Sequence, residues 1–392
     1  MASYIVKSEN NKINVIFEGK IDLIFANENS EAIIANFNNE SEVIFDFDKV
    51  DYISSAGLRL VLRTAKIVKE FSVINVNRDV YDIFDISGFT SIVNIKKALR
   101  VISIEGKEVI GEGANGKVYR LDPDTICKAF KDASHIKDIE NEIAMAKKAF
   151  VKGIPTAIPF DVVRLSDGGY GCVYELLKSD TMNKLIVKNP EKLDIYINMY
   201  ANVLKTFLNS HIEEGELPRQ SDYAKTWCKY FRENKVFDAK VCDQIDKLIY
   251  AIPEKDAIVH GDFHLKNLMF QGEEPIIIDM DTLGTGHPIY ELGYLYYSLV
   301  IFDKLHPDNT LKFFEITYDT SCDICKKTLD IVLVNKSKEE KKEIIEKLKL
   351  FGYLRMSYRS YQHLPIKVDR LEDAKKYVNE HIFDFDTLDF SL

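Results

Sequence analysis

The sequence predicts two domains of different class, an α/β domain over residues 1–101 and a larger α+β domain over residues 102–392. Three observations carry this. With 392 residues, the chain exceeds what one ordinary hydrophobic core organises. The first hundred residues alternate strand-like and helix-like periodicity. After them a glycine-rich hairpin opens a second series, in which apolar strands lead into short loops dense in His, Asp and Asn.

Composition narrows the class of molecule. Hydrophobic residues make up 46% and charged residues 29%, the balance of a folded globular chain rather than a disordered one. The formal charge is -10, from 52 basic and 62 acidic residues, which argues against a general nucleic-acid or anionic-membrane binder. The N-terminus shows no cationic-then-apolar signal pattern. The longest apolar run, Ile289 to Phe302, is interrupted by Glu291 and falls short of the roughly 20 residues that span a bilayer, so it reads as a buried helix. Among the six cysteines, only Cys322 and Cys325 form a CxxC; with no second pair at zinc spacing they read as helix packing residues. A cytoplasmic location is expected.

In the first domain, Tyr4–Val6 and Ile13–Phe17 read as strands around the turn-like Asn10-Asn11-Lys12. Ala26–Phe37 is helical in pattern. Val43–Phe47, apolar except for Asp46, suits a strand covered on both faces. Ile53-Ser54-Ser55-Ala56-Gly57-Leu58 then enters a helix with Leu58, Val61, Leu62, Ala65 and Val68 at helical spacing; Ser54 or Ser55 sits where an N-cap belongs. Phe71–Val76 is a further strand and Tyr81–Ile86 a short helix. This segment, over roughly residues 3–100, resembles a STAS domain, the fold of anti-sigma-factor antagonists, through the Ile53–Leu58 turn and Asp85-Ile86-Ser87-Gly88-Phe89. The resemblance implies a protein partner bound through this domain and phosphorylation at Ser55, two residues before the glycine of the turn. A serine that only caps the helix is the alternative.

No Gly/Ser/Pro-rich linker follows. Strand-like Arg100–Ile104 leads into Gly111-Glu112-Gly113-Ala114-Asn115-Gly116, a GxGxxG whose glycines let backbone approach phosphate oxygens. A dinucleotide-binding loop would continue as a helix, but Val118–Leu121 reads as the second arm of a hairpin, which favours a kinase-type loop over Gly111, Gly113 and Gly116. Lys128, in the apolar strand Thr125–Phe130, can reach α- and β-phosphates. The helix over Ile136–Phe150 carries its counter-charge: Glu142, which borders the stripe Ile139, Ile143, Ala146, with Glu140 as the alternative.

The strongest pattern is His260-Gly261-Asp262-Phe263-His264-Leu265-Lys266-Asn267, followed after twelve residues by Asp279 at the end of Ile276-Ile277-Ile278. Asp262 is placed to orient an acceptor hydroxyl and take its proton, and Asn267 and Asp279 to ligate Mg²⁺, a hard ion that prefers such oxygens. Asp281 would assist the metal or a structural network. His260 and His264 are read as hydrogen-bonding within the loop, because imidazole is softer than Mg²⁺ favours.

Residues 105–392 thereby resemble the aminoglycoside-phosphotransferase and choline-kinase-like superfamily, which writes HGDxHxxN at this loop. The resemblance implies a bilobal protein-kinase-like fold, with a smaller lobe over about 102–177 and a larger one over about 178–392. It implies ATP with Mg²⁺, adenine held by backbone groups near Glu175 and Leu177, and a brace on the catalytic loop from Glu291. The turn Gly286-His287-Pro288 begins seven positions after Asp279 and leaves no room for a long peptide-binding activation loop, so a small-molecule hydroxyl is the expected acceptor. The competing expectation is a regulatory protein whose kinase domain acts on a protein serine such as Ser55. The helices expected over Ser179–Pro253 would frame the acceptor site.

Overall fold

The computed structural model describes residues 2–392 except 10, 40, 113–115, 131–135, 273, 306 and 363–367. Its internal contacts divide the chain into two compact units: Met1–Ile104 with Val162–Gly169, and Glu105–Asp161 with Tyr170–Leu392.

The first unit is a five-stranded sheet in the order β1-β2-β3-β4-β5, built from Ser3–Glu9 (β1), Lys12–Ile21 (β2), Glu42–Ile53 (β3), Glu70–Val76 (β4) and Asn94–Lys97 (β5). β1 and β2 form an antiparallel hairpin, and β2 through β5 run parallel. The connecting helices are Leu23–Ile34 (α1), Ser55–Ile67 (α2) and Arg78–Ile86 (α3). α1 starts and ends about three residues earlier than its apolar pattern suggests. Asp22 fixes that start, its carboxylate accepting from the Phe25 N–H at 2.9 Å. β3 differs from the two-face expectation. Val43, Phe45 and Phe47 are buried against Phe25, Ile33, Leu60, Val61, Val80 and Phe84 of the helices, while Ile44 between them is 38% exposed. The helices therefore cover one face, and the strand alternates with period two. β3 also continues through Tyr52 to Ile53, which pairs with Ile21 and delivers the chain to α2. A short strand, β6 (Arg100–Ile102), pairs in parallel with Val163–Leu165 at the end of β10 (Pro159–Leu165).

The second unit begins with the antiparallel strands β7 (Val109–Glu112), β8 (Gly116–Arg120) and β9 (Thr125–Phe130), and β9 pairs in turn with β11 (Tyr170–Glu175). Between β9 and β10 lies α4 (Ile136–Val151), with Ile139, Ile143, Met145 and Ala146 buried. Gly116 is required by close approach: a Cβ there would stand 2.0 Å from the Ala129 carbonyl oxygen. The remainder is mainly helical. Met182–Lys188, Leu193–Leu208, Gln220–Glu233 and Ala239–Tyr250 precede two small strand pairs, and Ile289–Tyr296, Tyr318–Val332, Lys338–Gln362 and Val368–His381 follow them. Tyr200, Phe231, Phe263, Phe314 and Phe351 anchor one continuous core. The Ile289–Phe302 run is mostly buried, with Tyr296, Tyr297 and Phe302 half-buried, as an α-helix to Tyr296, a π-turn over Tyr297–Ile301 and the start of a short helix at Phe302. Among the described residues no helix is long and apolar enough to cross a membrane. Cys325 is buried in its helix and Cys322 half-buried, both unpaired as thiols.

Candidate active site

The site is assembled by two short antiparallel strands of the larger lobe, Leu268–Gln271 and Glu274–Ile277. Their pairing sets Leu268 opposite Ile277, so the residues just outside the ladder, Asn267 and Ile278, also meet: the Ile278 N–H donates to the Asn267 carbonyl at 3.0 Å. Asp279 comes next and adopts a left-handed conformation with φ 66°, which Asp tolerates better than most residues and which turns the chain sharply into Met280–Thr282.

One imidazole ties the two loops together. His260 Nε2 lies 3.1 Å from the Ile278 carbonyl, so it carries the proton and donates; Nδ1 then accepts from the Asp262 N–H at 3.2 Å. The Asn267 side-chain amide donates to the Asp262 carbonyl at 3.0 Å, which leaves its amide oxygen facing away from that bond. Beneath the loop, Glu291 is fully buried, and one carboxylate oxygen accepts from the His260 and Gly261 N–H groups. Burial raises the Glu291 carboxyl, while His260 and those two N–H groups pull it back down. The extra methylene of glutamate still reaches the loop backbone. Thr282 donates its hydroxyl to the His260 carbonyl at 2.7 Å, and Tyr200 donates to the Phe263 carbonyl at 2.8 Å. Gly261 has φ +79°, and a Cβ there would meet the Thr282 carbonyl oxygen at 2.9 Å. Asp262 keeps 29% of its side chain exposed, and buried His264 points Nε2 at its carboxylate from 3.9 Å. Burial lowers the His264 pKa against the pull of Asp262, so the ring is held neutral.

Lys128 on β9 meets this assembly. Its ammonium donates to both Glu142 oxygens at 2.8 and 3.0 Å and to Asp279 at 2.8 Å. Burial works to lower the Lys128 pKa, but Asp279 and Glu142 outweigh it and the lysine stays charged. Asp279 is lowered in turn: burial opposes ionisation, and Lys128 more than offsets it. Glu142 is raised by burial despite Lys128, and Tyr174 donates to it at 3.0 Å. Glu140 keeps its own interactions and does not take this place.

Gly111 sits in β7 at a bulge opposite Val118, and Gly116 opens β8. Gly113, with the rest of 113–115, lies outside the described residues. Glu175 ends β11; its N–H donates to the Ile158 carbonyl at 3.1 Å and its carboxylate accepts from the Ile158 N–H at 2.7 Å. Leu177 follows, half-buried, one residue past the Leu176 N–H that donates to Asp124. Asp281 is exposed in the turn after Asp279. In the first unit Ser54 is the N-cap of α2, accepting from the Gly57 N–H at 3.4 Å, and Ser55 is exposed at the first helical position. Sequence reasoning missed Tyr174, Thr282 and Tyr200. Tyr174 stands two residues from Cys172, which pairs with Lys128, so only the strand register shows that it shares the lysine's face.

The donor set suits Mg²⁺. Asp279 offers a carboxylate and Asn267 an amide oxygen from adjacent backbone; among the described residues no three His, Cys, Asp or Glu side chains form a closed cage. Mg²⁺ commonly uses one or two protein oxygens and completes its shell from phosphates and water.

A family model described as the phosphotransferase enzyme family matches residues 108–312, just over half of the chain, and the STAS domain model matches residues 4–101. The protein BtrV of Bordetella bronchiseptica, named for anti-sigma factor antagonism, is 44% identical over 57 residues, 14% of this chain and 49% of that protein. The chain thus spans about half the length of this curated relative. Among solved structures, the ternary complex of APH(2'')-IIa with streptomycin and ATP aligns at 15% identity with a TM-score of 0.48, covering 72% of this chain and 94% of that one. A choline/ethanolamine kinase family protein from Mesorhizobium loti aligns at 14% identity and a TM-score of 0.46, covering 71% and 88%.

Proposed function

The chain belongs to the phosphotransferase enzyme family, and on that premise we propose that it moves the γ-phosphoryl group of ATP to a hydroxyl of a small molecule, with Mg²⁺ as cofactor. The observation that carries this reading is the His260 bridge, which holds the Asp262 loop against the Asn267–Asp279 pair while Lys128 reaches the same point from β9.

Each group then has one task. The β7–β8 hairpin, with Gly111, Gly113 and Gly116, lies over the phosphates, and Lys128, fixed by Glu142, binds their oxygens. Backbone groups near Glu175 and Leu177 hold adenine; since the Glu175 N–H is already bonded, its carbonyl and the Leu177 N–H are the groups for this. Asn267 and Asp279 would hold Mg²⁺, which when bound neutralises charge on the phosphates. Asp262 accepts the proton of the acceptor hydroxyl. That oxygen forms the new O–P bond as the bond from the γ-phosphorus to the bridging oxygen breaks, and ADP leaves with the electron pair. The domains in this reading divide as 1–101 and 102–392, and the protein works in the cytoplasm.

The test is ATP consumption with Mg²⁺ against a metabolite library. Asp262→Ala should abolish transfer while ATP binding stays nearly intact; a variant rate equal to wild type would show that Asp262 is not the base.

A second reading has its own observation. Ser54, not Ser55, caps α2, so the Ser55 hydroxyl is exposed and uncommitted to the helix. The N-terminal domain would then bind a protein partner, and the kinase domain would phosphorylate a protein serine such as Ser55.

A further inference from the structure

We propose that the acceptor of this phosphotransferase carries a negative charge, a carboxylate or a phosphate, which is bound by a wall of cations beside Asp262. The inference rests on the phosphotransferase reading and names the substrate class of that same site.

The wall begins at Tyr294. Its ring lies 6.5 Å from the His264 ring, whose Nε2 stands 3.9 Å from the Asp262 carboxylate, and burial first and then Asp262 raise the Tyr294 phenol. The Arg355 guanidinium lies 4.1 Å from the centroid of the same ring. Arg355 is only 8% exposed, yet it makes no hydrogen bond or ion pair among the described residues. Arg355 helps hold the Glu291 carboxyl down, but the two form no ion pair, and one Glu291 oxygen is left without a partner. A buried guanidinium that neither pairs nor reaches water freely is costly unless a ligand completes it.

The cations continue along an aromatic chain. Tyr294 contacts Tyr297, and Tyr297 contacts Phe302, at ring separations of 5.7 and 6.1 Å. The Arg370 guanidinium lies 5.2 Å from Phe302 and spends one N–H on Asn309. Phe302 in turn meets Phe313, over which Lys266 stands at 4.6 Å, and Phe313 packs edge-on against His264 beside Asp262. Of the neighbouring carboxylates, Asp303 is occupied by the Thr310 N–H, and Glu315 faces Lys266. In a chain of net charge -10, three cations without carboxylate partners in bonding range gather on this one aromatic chain. Arginine forks match carboxylate and phosphate oxygens in pairs of hydrogen bonds, and aromatic faces hold the guanidinium planes in place for them.

Full-length protein with ATP and Mg²⁺ is assayed against matched acceptors: glycerol 3-phosphate, glucose 6-phosphate and gluconate, set against glycerol, glucose, glucosamine and choline. The ADP-loaded protein is also titrated calorimetrically with inorganic phosphate and malonate. Expected are turnover of an anionic acceptor and binding of one of the two anions; preference between phosphate-bearing and carboxylate-bearing compounds identifies the source. Arg355→Gln and, separately, Arg370→Gln should weaken both by about 10- to 100-fold, raising KM more than they lower kcat. Arg370→Gln, on the more accessible residue, keeps the test open if Arg355→Gln does not fold. Turnover confined to neutral or cationic acceptors overturns the proposal and leaves the phosphotransferase reading standing. Anion binding that both substitutions weaken, without turnover of any acceptor, supports the anion site and counts against the activity. Absence of both turnover and anion binding overturns the proposal.

Discussion

Asp262 and Glu142 show how much a single carboxylate is asked to do in this site. A positioned general base contributes about 10²- to 10⁴-fold to a proton-transfer step, and Asp262→Asn, which keeps shape and removes basicity, should lower kcat by about that factor with little change in nucleotide affinity. Isothermal titration with ADP alongside steady-state rates separates the two. Glu142 is 6% exposed and shares Lys128 with Asp279. Breaking a buried pair costs about 3–5 kcal/mol, and because Asp279 remains as a partner, Glu142→Ala should fall near the lower end, about 3 kcal/mol in urea unfolding. Tyr174→Phe, which removes one donor from Glu142, should cost about 1 kcal/mol in the same experiment.

At the scale of elements, the loop from His260 to Asn267 depends on backbone that cannot be exchanged freely. Gly261→Ala would place a side chain in a left-handed conformation and against the Thr282 carbonyl. A loss of about 1–3 kcal/mol is expected from the conformation alone, seen as a lower thermal midpoint together with reduced transfer. The C-terminal tail has a comparable anchor. His287 is fully buried, its Nε2–H donates to the Phe390 carbonyl at 2.9 Å, and its Nδ1 accepts from the Ile289 N–H at 3.1 Å. Burial lowers its pKa, although Phe390 and Asp389 oppose the shift. In the unfolded chain the same ring takes up a proton near its ordinary pKa of about 6.5. Below that pH the unfolded state therefore binds more protons, and the stability this ring contributes falls as the pH drops. The urea midpoint of the wild type should decline between pH 7.5 and 5.5 more steeply than that of His287→Gln; equal slopes would mean that His287 is not the group responsible.

Across the whole molecule, what the sequence showed and what it hid divide along the range of the interactions. Local periodicity placed β9 over Thr125–Phe130, the helix bearing Glu142 and the strand before Asp279, because each is set by residues a few positions apart. It misjudged β3, where a run of apolar residues looked buried on both sides; which face the helices cover is decided by chain topology and not by the strand itself. It also passed over Tyr174, Thr282 and Tyr200, whose roles exist only through partners 22 to 63 residues away. The cationic wall over Tyr294, Phe302 and Phe313 was invisible for the same reason, since Arg355 and Arg370 come from helices late in the chain. The two-domain organisation carries a prediction of its own: labelled ATP with Mg²⁺ should leave no stable label on Ser55 if the acceptor is a small molecule, whereas label lost in both Ser55→Ala and Asp262→Ala would identify a protein acceptor.

Transfer from labelled ATP to a metabolite, compared between the wild type and Asp262→Ala, tests the account most directly. It predicts a phosphorylated small-molecule product that requires Mg²⁺ and that Asp262→Ala fails to make while still binding ATP. Formation of that product at the wild-type rate by the variant would contradict it.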